Sequence, residues 1–399
     1  MGDILDPHHT TRWLDTHPSD PGYSRPWTVQ AKPAFATKLQ EVTRAILDNN
    51  AEGIALLRGC AQGELIHLPP ATSGGVPDMS SLEKVAPQLR MYYMVGNHDW
   101  HYHLPGQDFD KIRQEIIDAF GLSNPADLFP WEIEEFEPLN EIFKRFKVYG
   151  RHGDLYDKWN YHAPLGRDSA ALGDVFAMEM LNRYPVEVSR EFGDDLPPAL
   201  IDSLRKITNI RPALATPLWI TGQIEQTIRR PAVERKLKAI WDDLGDQFLE
   251  NEFVRSQDKS FHFDLVDAFD ILVRISKRAS FQTINEIVIW AHQMMWGGEL
   301  SYTKFALNEP TFKNGESRYI VYGHTHHHEV IPIDIESKPP ATAYQIYLNS
   351  GTWHSYYTLT AKDPKEQKFV PYQMLTYLIF YQDDQRGGRR VEAWSGTYV

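Results

Sequence analysis

The chain has 399 residues, 42% of them apolar and 24% charged, which suits a soluble globular protein with a sizeable core and argues against disorder. Its formal net charge of −13 argues against non-specific nucleic-acid binding, which depends on Lys/Arg patches, yet leaves room for a small anionic substrate held through divalent ions. Cys60 is the only cysteine, so an internal disulfide and a Cys-based zinc site are both excluded, and any metal must be held by His, Asp, Asn or Glu.

The chain opens on Met1-Gly2-Asp3-Ile4-Leu5-Asp6, followed by a Pro-, His- and Trp-rich loop to about Pro33. Phe35, Leu39, Val42 and Ile46 then recur at helical spacing, with Asn49-Asn50 as the stop, and Pro69-Pro70 through Pro77 reads as loop. Arg90 to Val95 reads as a short buried strand running into Gly96-Asn97-His98-Asp99. The spacing predicts helices over Phe109 to Phe120, with Ile112, Ile116, Ile117 and Phe120 on one face, and near Leu139 to Phe146. Lys147-Val148-Tyr149-Gly150 then delivers Arg151-His152-Gly153-Asp154.

From about 155 to 315 the pattern is mostly helical, broken by Pro185, Pro197, Pro198, Pro212 and Pro217 and clearest at Leu265 to Ile275 and Ile284 to Trp296. It reads as a packed helical insert with Met and aromatic residues as core filler; a cap over a site is the alternative. Tyr319 to Tyr322 reads as a strand leading into Gly323-His324-Thr325-His326, and further strands follow at Ala343 to Leu348, Tyr372 to Tyr381 and Arg390 to Trp394. Apolar runs such as Tyr377 to Tyr381 are too short to span a bilayer and no signal peptide is visible, so the expectation is a cytoplasmic chain without a membrane span. No protein partner can be inferred.

Each motif repeats one construction: a short apolar strand, a glycine turn, then Asp, Asn or His. Ligands placed on strand ends converge at one sheet edge, and glycine permits the close approach. A mixture of carboxylate, amide oxygen and imidazole suits Mn, Fe or Zn better than Ca or Mg.

The order Gly-Asp-x-x-Asp, Gly-Asn-His-Asp, His-Gly-Asp, Gly-His-Thr-His, closed by Tyr347-Leu348-Asn349-Ser350-Gly351-Thr352-Trp353, resembles the calcineurin-like metallophosphoesterase superfamily. The resemblance implies an α/β fold of two packed mixed sheets flanked by helices, a four-layer sandwich. It would form a single domain over 1–399, carrying the helical insertion at about 155–315. It implies two divalent metal ions and hydrolysis of a small phosphorylated substrate, a phosphomonoester or phosphodiester, by in-line attack of a metal-bound hydroxide. Asp3 would bridge the metals, Asn97, His152 and His324 would complete one site, and His326 would bind the other. His98 would be the general acid or phosphate contact, oriented by Asp6.

The family's first motif, Asp-x-His on an earlier strand, has no counterpart before Asp3, so the expectation is an N-terminally truncated chain with an incomplete first metal site. His8, His9 or Asp15 standing in for the absent pair is the alternative. A non-catalytic scaffold on the same fold, and a His-rich metal-storage or sensor protein, are the rival functions; the intact His98 speaks against the first and Asn97 against the second. Asp99 and Asp154 read as orienters of ligands. Arg151 and Arg90 are candidate phosphate contacts or local ion-pair partners. Trp100 and Tyr102 could stack on a substrate or lie buried. His101 and His103 follow the second motif and His327 and His328 the last; strand alternation would send His328 to the same face as His326, but the extra histidines read rather as surface residues or neighbours of the ligands.

Overall fold

The computed structural model describes residues 2–17, 19–28, 33–74, 76–211, 215–228, 230–257, 302–338, 341–359, 368–382 and 385–398. Two four-stranded mixed sheets organise it. The first contains β1 (Val148–Gly150), β3 (Tyr319–Tyr322), β4 (His328–Lys338) and β5 (Ala341–Ser350) in the order β1-β3-β5-β4. Its β1, β3 and β5 run parallel, and β4 returns antiparallel to β5. The second contains β2 (Ile210–Arg211), β6 (Tyr356–Leu359), β7 (Phe369–Phe380) and β8 (Val391–Tyr398) in that order, with β2 parallel to β6 and the rest antiparallel.

Alternation along the strands decides which layer each side chain enters. Val148, Tyr319, Val321 and Leu348 point toward the second sheet and pack with Leu378, Phe380 and Val391. Tyr149, Ile320, Tyr322 and Tyr347 point the other way, into a core shared with Leu139, Tyr302, Ala306 and Phe312.

Helix α1 (Pro33–Asn49) buries Phe35, Leu39 and Val42 as its periodicity predicts, and α3 (Gln107–Phe120) buries Ile112, Ile116 and Phe120. Gly121 closes α3 in the left-handed region, φ 71°, where its N–H caps the Ile117 carbonyl. Helix α4 (Glu137–Phe146) carries Pro138 in its first turn and passes through the left-handed Lys147 into β1. Helix α1 stops at Asn49, as expected, and Asn50 accepts from Ile54 N–H at 3.0 Å where a separate helix, α2 (Ala51–Ala61), begins.

The region after residue 155 is largely helical: α5 (Leu172–Phe176), α6 (Arg183–Phe192), α7 (Pro198–Leu204), α8 (Thr216–Thr227), α9 (Pro231–Glu250) and α10 (Glu252–Gln257). They enclose a core of Trp159, Phe176, Tyr184, Leu218, Trp241 and Phe248, among others, so its aromatic residues are core filler. The described helices give way to a strand once, at β2, which ties them to the second sheet. Pro185 lies in the first turn of α6 rather than breaking it, a place where a missing N–H is tolerated, directly after the π-helical Ala177–Asn182. The expected helices at Leu265 to Ile275 and Ile284 to Trp296, and Pro212, lie outside the described residues.

One expected strand is corrected. Among the described residues, Arg90 to Val95 joins no ladder. Its polar groups are taken by loops instead: Met91 O accepts from Ser123 N–H at 2.7 Å, Tyr93 exchanges two hydrogen bonds with the Asn124 amide, and Val95 N–H donates to Pro130 O at 3.0 Å. Among the described residues, no helix is long and apolar enough to cross a membrane.

Candidate metal centre

The four motifs, far apart along the chain, meet beyond the ends of β1 and β3. Gly2 N–H donates to Met94 O at 3.1 Å, which lays the first motif beside the second. Asp99 fastens them together: it accepts from Ile4 N–H at 3.1 Å, from Gly96 N–H at 2.5 Å and from the Tyr93 hydroxyl at 2.5 Å. Burial and the neighbouring Asp3 push the Asp99 carboxyl up to about 7. Gly2, at φ 74°, and Gly96 leave no room for a side chain: a Cβ on the first would enter the His152 ring, and on the second the Asp3 carboxylate. Asp3 (φ 54°) and His326 (φ 62°) hold left-handed conformations that cost a non-glycine residue energy, a strain that concentrates at functional sites.

Four ligand-type atoms converge. Asn97 Oδ1 lies 2.9 Å from both His152 Nε2 and His324 Nδ1, and these two nitrogens are 3.2 Å apart. Asp3 Oδ2 lies 3.1 Å from His152 Nε2. Ligands bound at about 2.0–2.2 Å around one ion are themselves separated by about 3 Å. Asp3 Oδ2 is also buried without a hydrogen-bond partner. Two imidazole nitrogens carrying at most one proton each cannot satisfy this crowd of lone pairs, whereas a central cation satisfies all of it. The residues therefore fit a divalent ion.

Electrostatics agree. Burial opposes ionisation of Asp3, but His152 and His98 outweigh it and hold the carboxyl well below its usual range. Burial likewise disfavours charge on His324, yet Asp157, with Asp154 and Asp3 behind it, raises the imidazole. His326 Nε2 lies 4.0 Å from Asp3 Oδ2, and burial pulls this histidine down to about 3, so it is neutral and available as a ligand. Asp3 thus stands between the four-atom group and His326. A second ion there would find only Asp3 and His326 as donors among the sequence-predicted ligands.

A second group of potential ligands surrounds Asp6: atoms of Asp6, His8 and His98 lie within 4.8 Å of one another. Asp6 Oδ2 is 2.9 Å from His98 Nδ1 and 2.6 Å from His9 Nδ1, and Asp6 Oδ1 accepts the backbone N–H groups of His8 and His9. His8 is buried against His101, with their Nε2 atoms 3.4 Å apart, and its Nδ1 is 3.4 Å from Asp174. Burial pulls His8 down to about 3. Asp15 pairs with Lys38 at 3.4 Å near the surface and contributes nothing here. The position of His98 also follows from its backbone, whose N–H donates to Asp3 Oδ1 at 2.9 Å.

Other expectations divide. Arg151 is an ion-pair residue, 3.2 Å from Glu132 and 3.6 Å from Glu309, and Asp154 pairs with Arg167 at 2.7 Å rather than orienting a ligand. Arg90 is exposed, and Trp100 and Tyr102 are core. His101 is fully buried, not at the surface. The alternation argument for His328 fails because His324 to His326 form a turn, closed by His326 N–H donating to Gly323 O at 3.0 Å. Thr325 in that turn is pinned by Asn349 of the closing strand, whose Nδ2 donates to Thr325 Oγ1 at 3.0 Å.

Two residues missed in the sequence complete the centre. Asp157 Oδ2 lies 3.0 Å from His324 Nε2, which leaves Nδ1 as the ligand nitrogen. Asp157 also accepts from Asn160 Nδ2 at 2.8 Å, and Asn160 Oδ1 accepts from Asn97 Nδ2 at 3.1 Å, which turns the Asn97 oxygen inward. The Asp-x-x-Asn spacing after His152 is the one local signal that could have marked them.

No family model, no curated protein and no solved structure matches this chain. The functional reading therefore rests on the geometry and on the motifs themselves.

Proposed function

We propose that the chain is a metal-dependent hydrolase of phosphate esters, of the calcineurin-like metallophosphoesterase kind, with the two sheets and their helices as its four-layer sandwich. The observation that carries this reading is the convergence of Asp3, Asn97, His152 and His324 on one point, with His98 and His326 beside them. Divalent ions of the Mn, Fe or Zn type at the four-atom group and between Asp3 and His326 would neutralise phosphate charge and acidify a bound water. Asp6 engages His98 Nδ1, which leaves Nε2 as the nitrogen with a proton to give. Burial disfavours that proton, but Asp6 and Asp3 overcome it and push His98 up to about 10 in the metal-free chain. Its role is to hand this proton to the leaving alkoxide oxygen. Asp157 and Asn160 keep His324 and Asn97 in ligand geometry throughout.

A second reading, a metal-binding protein on this fold without turnover, has one observation behind it: among the sequence-predicted ligands, Asp3 and His326 alone serve the second position. The deciding experiment is metal analysis of the full chain together with hydrolysis of a chromogenic phosphomonoester and a chromogenic phosphodiester. Metal-dependent release from either supports the hydrolase. Bound metal with no release from either supports the second reading.

A further inference from the structure

Arg211 is a cation that the motifs do not account for. It ends β2, within the helical insertion, and pairs with Thr358 of β6. That segment is fixed beside the metal-centre turn. Asn209 Oδ1 lies 2.9 Å from His354 Nε2 in the loop leaving β5, and the Tyr356 ring of β6 lies 6.4 Å from the His327 ring. The Arg211 side chain, carried on that segment, lies within electrostatic reach of the Asp6 and Asp3 carboxylates.

Its own contacts are one-sided. Nη1 donates to Thr208 O at 2.9 Å and to Ile210 O at 3.0 Å, and among the described residues the guanidinium forms no ion pair. Arg211 is half-buried, and partial desolvation of a guanidinium without a carboxylate partner among the described residues carries a cost that an arriving anion offsets. The planar fork suits phosphate oxygens better than any other side chain does.

We propose that Arg211 grips the phosphate of the substrate and biases the site toward phosphomonoester dianions over diester monoanions. The proposal rests on the hydrolytic reading for the word substrate, though the anion site itself does not. Coulomb attraction to a fixed cation scales with the ligand's charge, so one guanidinium favours the dianion.

The test titrates inorganic phosphate into the Mn-loaded full chain by calorimetry, for the parent, Arg211→Gln and Arg211→Lys. A charged bidentate contact is worth a loss of about tenfold to a hundredfold in phosphate affinity for Arg211→Gln. Arg211→Lys, which keeps the charge without the fork, falls in between. Metal content and the unfolding midpoint stay at the parent values in both. On a chromogenic monoester, KM rises in step with the phosphate affinity loss, while kcat/KM on a diester falls less. Unchanged phosphate affinity in folded, metal-loaded Arg211→Gln overturns the anion site, and equal losses on both esters overturn the selectivity. Phosphate binding that depends on Arg211 in a chain with no turnover supports the anion site and removes only the hydrolytic reading.

Discussion

Asp157 Oδ2 sits 3.0 Å from His324 Nε2, so a residue from the start of the helical insertion leaves Nδ1 of a motif histidine facing Asn97 and His152. A carboxylate behind a ligating imidazole fixes its tautomer and raises its basicity. Asp157→Ala is therefore expected to weaken metal affinity by about tenfold to a hundredfold. Because Asp157 raises the His324 imidazole, protons compete with metal at His324 from a higher pH than at an ordinary histidine, and binding weakens as pH falls through that raised value. Metal titrations of the parent and the variant across pH check both statements; equal affinities would show that Asp157 plays no part in ligation.

His98 gives a sharper separation between binding and chemistry. His98→Ala is expected to lower turnover by about a hundredfold or more while metal content stays near the parent value. Asp6→Asn should lower turnover less, because it loosens the Asp6–His98 contact at 2.9 Å without removing the imidazole. Loss of metal in His98→Ala would instead make His98 a ligand, together with Asp6 and His8.

Gly96→Ala tests the close packing of the motifs. The added methyl enters the space of the Asp3 carboxylate, so the variant should fold but bind metal weakly. Metal content measured beside a thermal melt distinguishes this from global unfolding; full metal binding would show that the crowding is relieved by a shift.

Asp174 makes a prediction about stability. Burial pushes its carboxyl up to about 7, partly countered by the Ala171 N–H. The unfolded chain releases this proton near pH 4. The stabilisation is therefore fully present below about pH 4 and is lost as pH rises to about 7, with the folded state holding the proton longer. Asp174→Asn cannot ionise, so its unfolding midpoint relative to the parent should become more favourable between about pH 4.5 and about pH 8 in the metal-free chain. An offset that does not change with pH would contradict the assignment.

Much of this was legible in the sequence, for physical reasons. Helices with one buried stripe, such as α1 and α3, announced themselves through Phe35, Leu39 and Ile112, Ile116. Helix α2 did not, because Leu56 and Leu57 are exposed and its buried face is reduced to Ile54 and Gly59. Strand β4 was missed because Pro332 and a register shift before Asp334 interrupt its alternation. The seven motif residues are legible because each motif carries a glycine just before its polar residues: strands β1 and β3 lead into His152, His324 and His326, whereas Asn97 and His98 follow a segment outside the sheets and Asp3 and Asp6 follow Gly2. Asp157, Asn160 and Arg211 carry no such signature: they reach the centre through the tertiary placement of the insertion, which local pattern does not encode.

A crystal structure of the full chain grown with Mn or Zn, with the ion located by anomalous scattering, tests the central claim most directly. The expected result is an ion bonded to Asp3 Oδ2, Asn97 Oδ1, His152 Nε2 and His324 Nδ1, a group in which His152 Nε2 lies 2.9 to 3.2 Å from each of the other three. An ion seated only at Asp6, His8 and His98, or none at either place, would contradict it.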